Sequence, residues 1–291
     1  MKRKPFGAIR LLEDRFLMIF SVYAVSFLLC FFLSWMRRGA DANTEAVLFT
    51  LPLLAVYLPV LFFLRSEEGR DAPLGLKRIE KAFWPEEILF IVCAFALGTG
   101  GALLFGKLSL PLCFYGMALP DTFSFLSFFA LVVFGAFCEE MLLRGVVQTH
   151  LASLDAVVSV LASACLSAAL GFSLSSLPLL LVTGGLCAFA RHRTDSVWGS
   201  VLVAIAARMG IYPTSVGVWH ELAASMGEVL LSVLLLSAAV LSFVASLFVG
   251  RGKHVAPKKV YRLGKEGVVA YLLALLFLGL SVGASFLIST L

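Results

Sequence analysis

Long apolar blocks separated by charged connections constrain this chain more than any other feature of its sequence. A helix that spans a bilayer needs about 20 mostly apolar residues, and runs of that order recur along the whole chain. The pattern predicts an all-α, polytopic transmembrane helical bundle with about nine spanning helices. The sixth and seventh blocks are short for full spans. The blocks are 16–35, 46–64, 87–105, 122–143, 156–172, 177–190, 197–211, 229–249 and 268–288.

The composition supports this class. Hydrophobic residues make up 60% of the chain and charged residues 14%, whereas soluble domains have about 45–50% apolar and 25% charged residues. The net charge is +5, and the basic residues lie between the apolar blocks. There they are better interpreted as topology signals and contacts with anionic lipid headgroups than as a nucleic-acid surface. We therefore expect membrane lipids among the partners, and no nucleic acid.

The basic connections predict the orientation, because cytoplasmic loops are enriched in Lys and Arg. Basic residues cluster before the first block and in the second–third, sixth–seventh and eighth–ninth connections. This alternation predicts a cytoplasmic N-terminus and an outer C-terminus, in what we expect to be the bacterial cytoplasmic (inner) membrane. The run 16–35 is too long for the apolar region of a signal peptide, so it is interpreted as a retained helix.

Cysteine and histidine spacing gives no sign of a metal or redox centre. The six cysteines are scattered singly and show no CxxC pattern, which favours free, buried thiols. The four histidines are His150, His192, His220 and His254, and each is expected in a solvated loop. We therefore expect no cofactor and no metal, and of the four histidines His150 is the best placed to take a catalytic role.

Ionisable residues in or at the ends of spanning helices are the candidates for chemistry, because they are expensive in a bilayer. They are Glu139, Glu140 and Arg144 near the end of the fourth block, Asp155 before the fifth, and Arg208 in the seventh. On a helix, Glu140 and Arg144 are spaced for an ion pair, and Glu139 projects from a neighbouring face. The alternative interpretation is a charged helix end at the cytoplasmic interface.

The segment Glu139-Glu140-x-x-x-Arg144 resembles the first motif of the CPBP family, the CAAX-protease and bacteriocin-processing (Abi) intramembrane endopeptidases. The resemblance implies that Glu139 activates water, with Glu140 and Arg144 in support. It divides the chain into N-terminal membrane helices and a cytoplasmic loop (1–120), a CPBP-like core (121–212) and C-terminal membrane helices (213–291).

Two further motifs of the family have the right surroundings but different key residues. In the second, Ser167 and Gly171 stand where the family has Phe and His. In the third, Ala204 and Arg208 stand at the His and Asn that stabilise the oxyanion in the family. The resemblance implies that Gly171, Ala204 and Arg208 line the site, on helices that meet the fourth one near Glu139. We expect Arg208 to pair with Glu139 or Glu140.

Two functions follow from these residues. The first is an intramembrane endopeptidase that cleaves membrane-associated polypeptides by a glutamate-activated water. The second is a catalytically degenerate, non-enzymatic scaffold that binds a membrane-associated peptide or protein partner, which the missing histidines favour. A small-solute transporter has only the buried charges in its favour, because the sequence shows neither inverted repeats nor interrupted helices.

Overall fold

The computed structural model describes residues 75–114, 117–151 and 156–251, together with scattered residues between 24 and 48 and between 272 and 284. Most of the first, second and ninth predicted spans, Asp155 and the basic loop around His254 lie outside the described residues. The orientation of the two termini therefore stays a prediction.

The described part is a helical bundle with one short β-ribbon, in which β1 (Cys113–Phe114) and β2 (Met117–Ala118) pair antiparallel. The helical bundle expected from the sequence is confirmed. The helices are α1 (Trp84–Lys107), α2 (Phe125–Leu151, in five consecutive segments), α3 (Ala156–Ala169), α4 (Leu177–Thr194), α5 (Val197–Ser215), α6 (His220–Met226) and α7 (Glu228–Val249).

Four stretches of the described residues are long and apolar enough to cross a membrane: Lys81–Lys107, Phe125–Gly145, Val197–Ser215 and Glu228–Val249. They correspond to the third, fourth, seventh and eighth predicted spans, and they mark the chain as an integral membrane protein. The fifth predicted span is a shorter apolar helix, Val157–Ala169. The count of about nine spans is not confirmed.

Helix α1 packs along both α5 and α7, and at α5 the two backbones touch. A Cβ placed on Gly98 would lie 2.2 Å from the carbonyl oxygen of Ala207, and one placed on Gly210 would lie 2.6 Å from the carbonyl oxygen of Phe95. Small residues that let backbones approach this closely are typical of helix pairs in lipid. Glycine is required at both positions because any side chain would separate α1 from α5.

Helix α2 departs from regular α-helix on both sides of the acidic pair. Ser124 caps its start, where the side-chain oxygen accepts a hydrogen bond from the Ser127 amide. The backbone then follows a π-helix over Phe129–Phe134, an α-helix over Gly135–Glu140 and a π-helix again over Met141–Val147. Each π-helical stretch holds more residues per turn than an α-helix, and such stretches are frequent at functional sites.

Helix α4 lies between α3 and α5 and contacts both. It continues to Thr194, so the prediction that the sixth span ends at 190 and that His192 lies in a loop was wrong. Arg191 is buried on the last turn and donates to Asp195 at 2.9 Å. Asp195 adopts a left-handed conformation that ends the helix. The helix extends because this ion pair neutralises a cation that the sequence suggested was solvated.

Candidate functional site

An ion pair between α2 and α5 forms the centre of the candidate site. The Arg208 guanidinium donates through Nη2 to Oε2 of Glu139, and both side chains are buried. Its other terminal nitrogen, Nη1, donates to the carbonyl oxygen of Leu131 at 2.7 Å. The prediction that Arg208 pairs with one of the two glutamates is thus confirmed.

The Leu131 carbonyl is available to Arg208 because of the local backbone. Leu131 lies in the first π-helical stretch of α2, where the regular α-helical hydrogen-bond ladder is interrupted. Helix α5 is held in place one turn beyond Arg208, where the Tyr212 hydroxyl donates to the backbone carbonyl of Ser124 at 3.1 Å. The first half of α2 therefore contacts α5 twice, through the Leu131 carbonyl and through the Ser124 carbonyl. Together these two contacts position the guanidinium of Arg208.

The β-ribbon contributes to one side of the ion pair. The ring centroid of Phe114 lies 5.0 Å from the guanidinium carbon of Arg208, a distance at which a cation is attracted to an aromatic face. Phe114 is itself buried. Hydrophobic packing beside a charged pair lowers the local dielectric and strengthens the attraction between the two charges.

The second glutamate has its own cation. Glu140 lies 3.3 Å from Nε of Arg144, four residues later on α2, and both side chains are almost fully buried. Arg144 also donates through Nη2 to the backbone carbonyl of Gly184 at 2.6 Å. One turn later, Gln148 donates through Nε2 to the carbonyl of Ala188 at 2.8 Å. Arg144 and Gln148 thus connect α2 to α4, while Glu139 connects it to α5.

The face of α5 that carries Arg208 also carries Ser200 and Ala204 at successive four-residue intervals. The Ser200 hydroxyl is buried near the Glu140 carboxyl and donates to the backbone carbonyl of Val197 at 2.9 Å. Ala204 is buried in a cluster that includes Ala136 of α2. This face therefore meets both acids, with Ala204 between the two polar contacts, and its methyl group can neither donate nor accept a proton.

Gly171 follows the end of α3 and is buried. A Cβ added there would lie 2.3 Å from Cδ1 of Leu180 in α4. Leu180 thus fills the space that a side chain at position 171 would occupy. The placement of Gly171 and Ala204 opposite Glu139 remains a prediction drawn from the motifs.

Of the four histidines, His254 lies outside the described residues, and only the side chain of His192 is described. The backbone of His150 belongs to the last turn of α2 rather than to the turn beyond it, and His192 is exposed on α4. Within the described part of the chain, no group of three or more His, Cys, Asp or Glu side chains could hold a metal ion. With each glutamate paired to an arginine, the arrangement has two neutralised acids.

Several polar residues of the bundle interior were missed from the sequence. Glu86 and Glu87 start α1 as expected, but both are fully buried, and Glu86 accepts from Nε of Arg193 at 2.7 Å. Gln148 was missed as well, although its spacing of four from Arg144 was visible. A sequence pattern identifies a helix start or a basic residue in a connection. It does not show that another helix of the bundle packs over that residue and buries it.

Comparison with known proteins supports the resemblance. Residues 121–209 match the family model described as type II CAAX prenyl endopeptidase Rce1-like. The matched segment begins before α2 and ends just after Arg208, so it contains every residue of the two ion pairs. No curated protein and no solved structure matched the chain.

Proposed function

Because residues 121–209 are similar to type II CAAX prenyl endopeptidases, we propose that this protein is a non-enzymatic relative. In this proposal it is a membrane scaffold that binds membrane-associated polypeptides without cleaving them. One observation carries the proposal: the Arg208 guanidinium is bonded to the carboxylate of Glu139, the residue that would have to activate water.

The chemistry of peptide hydrolysis supports this conclusion. A general base must accept a proton from water, and a positioned acid–base group contributes typically a hundredfold to ten-thousandfold in rate. The carboxylate of Glu139 is held by a permanently charged guanidinium instead. Gly171 and Ala204 carry no group that could relay that proton or donate to an oxyanion, and one lost oxyanion donor costs about a hundredfold to a thousandfold.

The endopeptidase remains the second candidate, and two observations favour it. The Glu140–Arg144 pair of the first motif is intact, and π-helical stretches flank the acidic pair on both sides. In that case Arg208 would have to release Glu139 when a substrate enters and donate to the oxyanion in place of the family's Asn. Its planar guanidinium has donors that could do so.

Cleavage and binding measured on the same preparation separate the two functions. The full chain would be reconstituted in nanodiscs with fluorogenic CAAX peptides, prenylated and unprenylated, each carrying a photo-crosslinker. We expect crosslinking without cleavage beyond that of the Glu139→Gln variant. Cleavage that this variant abolishes would refute the scaffold and establish the endopeptidase, and absence of crosslinking to any peptide would refute polypeptide binding.

A second variant tests whether the substituted motif is what prevents catalysis. Ala204→His combined with Arg208→Asn restores the third motif and frees Glu139, so we expect it to gain cleavage that depends on Glu139. Restoring the second motif with Gly171→His would also require Leu180→Ala, because the Leu180 side chain occupies the space that a side chain at position 171 needs. The matched control is Met209→Asn, an exposed position next to Arg208 on α5, which should gain nothing.

A further inference from the structure

A second concave site lies away from the two ion pairs. It is a cavity of about 360 Å3 where the last turn of α1 and the end of α5 meet α6 and the residues around the β-ribbon. Helices α1 and α5 are both candidate spans that end here, which places the cavity at the edge of the hydrocarbon layer. Neither Glu139 nor Arg208 lines it, so its role is independent of the function proposed above.

The walls of the cavity are amphipathic. Leu103 of α1 and Leu119 after the ribbon are apolar and buried, and they form its inner part with the indole of Trp219. Lys107 and Glu228 lie at its edge and form an ion pair of 3.7 Å, with both side chains partly exposed. Tryptophan and lysine at the end of a spanning helix are typical of the membrane interface.

Two polar groups of the wall have no counterpart within the described part of the chain. Asp121 is exposed, and no described cation forms an ion pair with it, while Lys107 is paired with Glu228. The indole N–H of Trp219 is buried and has no hydrogen-bond acceptor among the described residues. The cavity therefore presents one carboxylate that suits a cation and one donor that suits an oxygen acceptor.

We propose that this cavity binds the headgroup of a zwitterionic phospholipid, with the ammonium at Asp121 and a phosphate oxygen at the Trp219 N–H. The cavity volume is at the lower end of the range for ligand sites, about 300–1,000 Å3. It thus accommodates a headgroup and the first part of a chain rather than a whole lipid. The apolar inner wall of Leu103 and Leu119 contacts that part of the chain.

The choice of an ammonium-bearing headgroup follows from the charges. The ionisable side chains of the wall are one lysine and two carboxylates, Asp121 and Glu228. Their formal sum is negative, which disfavours a lipid whose only charge is its phosphate. A zwitterion supplies a cation for the remaining carboxylate and an acceptor for the indole at the same time.

Two lipids that differ only in the headgroup test this site. The full chain would be assembled in nanodiscs that contain equal parts of phosphatidylethanolamine and phosphatidylglycerol with the same acyl chains. Lipids retained after release would be counted by native mass spectrometry. We expect preferential retention of phosphatidylethanolamine, and Asp121→Asn should reduce that preference by up to about fivefold, as for an exposed charge pair.

A cavity-filling variant connects the retained lipid to this site. Gly106 lines the cavity, and a Cβ added there meets nothing within 4 Å, so Gly106→Leu should abolish the preference without destabilising the protein. Gly279→Leu is the matched control, because its Cβ also meets nothing and it is not in the cavity wall. Equal retention of both lipids, or a preference that survives Gly106→Leu, would overturn the proposal.

Discussion

Replacing Arg208 with alanine should be among the most damaging single substitutions in the described bundle. The change removes a hydrogen bond to the Glu139 carboxylate and another to the Leu131 carbonyl. Hydrogen bonds to charged groups contribute about 1.5–3 kcal/mol each, and breaking a buried ion pair costs about 3–5 kcal/mol. For that 3–5 kcal/mol, at about 2–4 °C per kcal/mol, the midpoint of thermal unfolding should fall by roughly 6–20 °C.

A double-mutant cycle separates the ion pair from simple loss of packing. In the Arg208→Ala background, Glu139→Gln should restore part of the lost stability, because the neutral amide needs no cation in a buried site. Thermal unfolding would be followed by intrinsic fluorescence in one detergent at one scan rate, since membrane proteins commonly unfold irreversibly. Additive losses in the double variant would refute the pairing and remove the main support for a non-catalytic site.

The remaining predictions concern packing, the Glu86–Arg193 ion pair between α1 and α4, and the orientation. Gly98→Ala should destabilise the protein because its Cβ would overlap the backbone of α5, whereas Gly106→Ala, with open space around it, should be neutral or slightly stabilising. Thermal unfolding of the two variants would check this prediction, and equal effects would contradict it. Arg193→Ala should destabilise the protein by about 3 kcal/mol because it leaves Glu86 buried and unpaired, and Glu86→Gln should partly rescue it in the same assay. A cysteine at Lys107, in a background without other accessible thiols, should react with an impermeant maleimide from the outer side of the membrane, and labelling only from the cytoplasmic side would reverse the topology.

The fold of the described residues was largely predictable from the sequence. Apolar blocks long enough for helices are visible at 87–105, 122–143, 197–211 and 229–249, and the structure has a helix at each. The reason is physical: in lipid the backbone must satisfy its hydrogen bonds within each segment, so an apolar run of sufficient length can only be a helix. Helix ends were less predictable, as α4 shows, because buried partners extend a helix beyond its apolar run.

The candidate site was predictable only where one helix determines it. The spacing of Glu140 and Arg144 was sufficient for their ion pair. The contact of Glu139 with Arg208 required two distant helices, and only the likeness of both segments to one family brought them together. The Leu131 carbonyl could not be predicted at all, because neither periodicity nor propensity reveals a π-helical stretch.

The two π-helical stretches of α2 also affect how related chains can be compared. A π turn places one additional residue in the helix, so its two flanks are out of phase with a continuous α-helix. Deleting one residue within Met141–Val147 would let the helix return to regular phase and turn Gln148 away from the Ala188 carbonyl, while Glu139 stayed opposite α5. A single-residue gap in this segment of a relative therefore has structural meaning. It indicates whether the residue aligned with Gln148 can still bond to the helix that corresponds to α4.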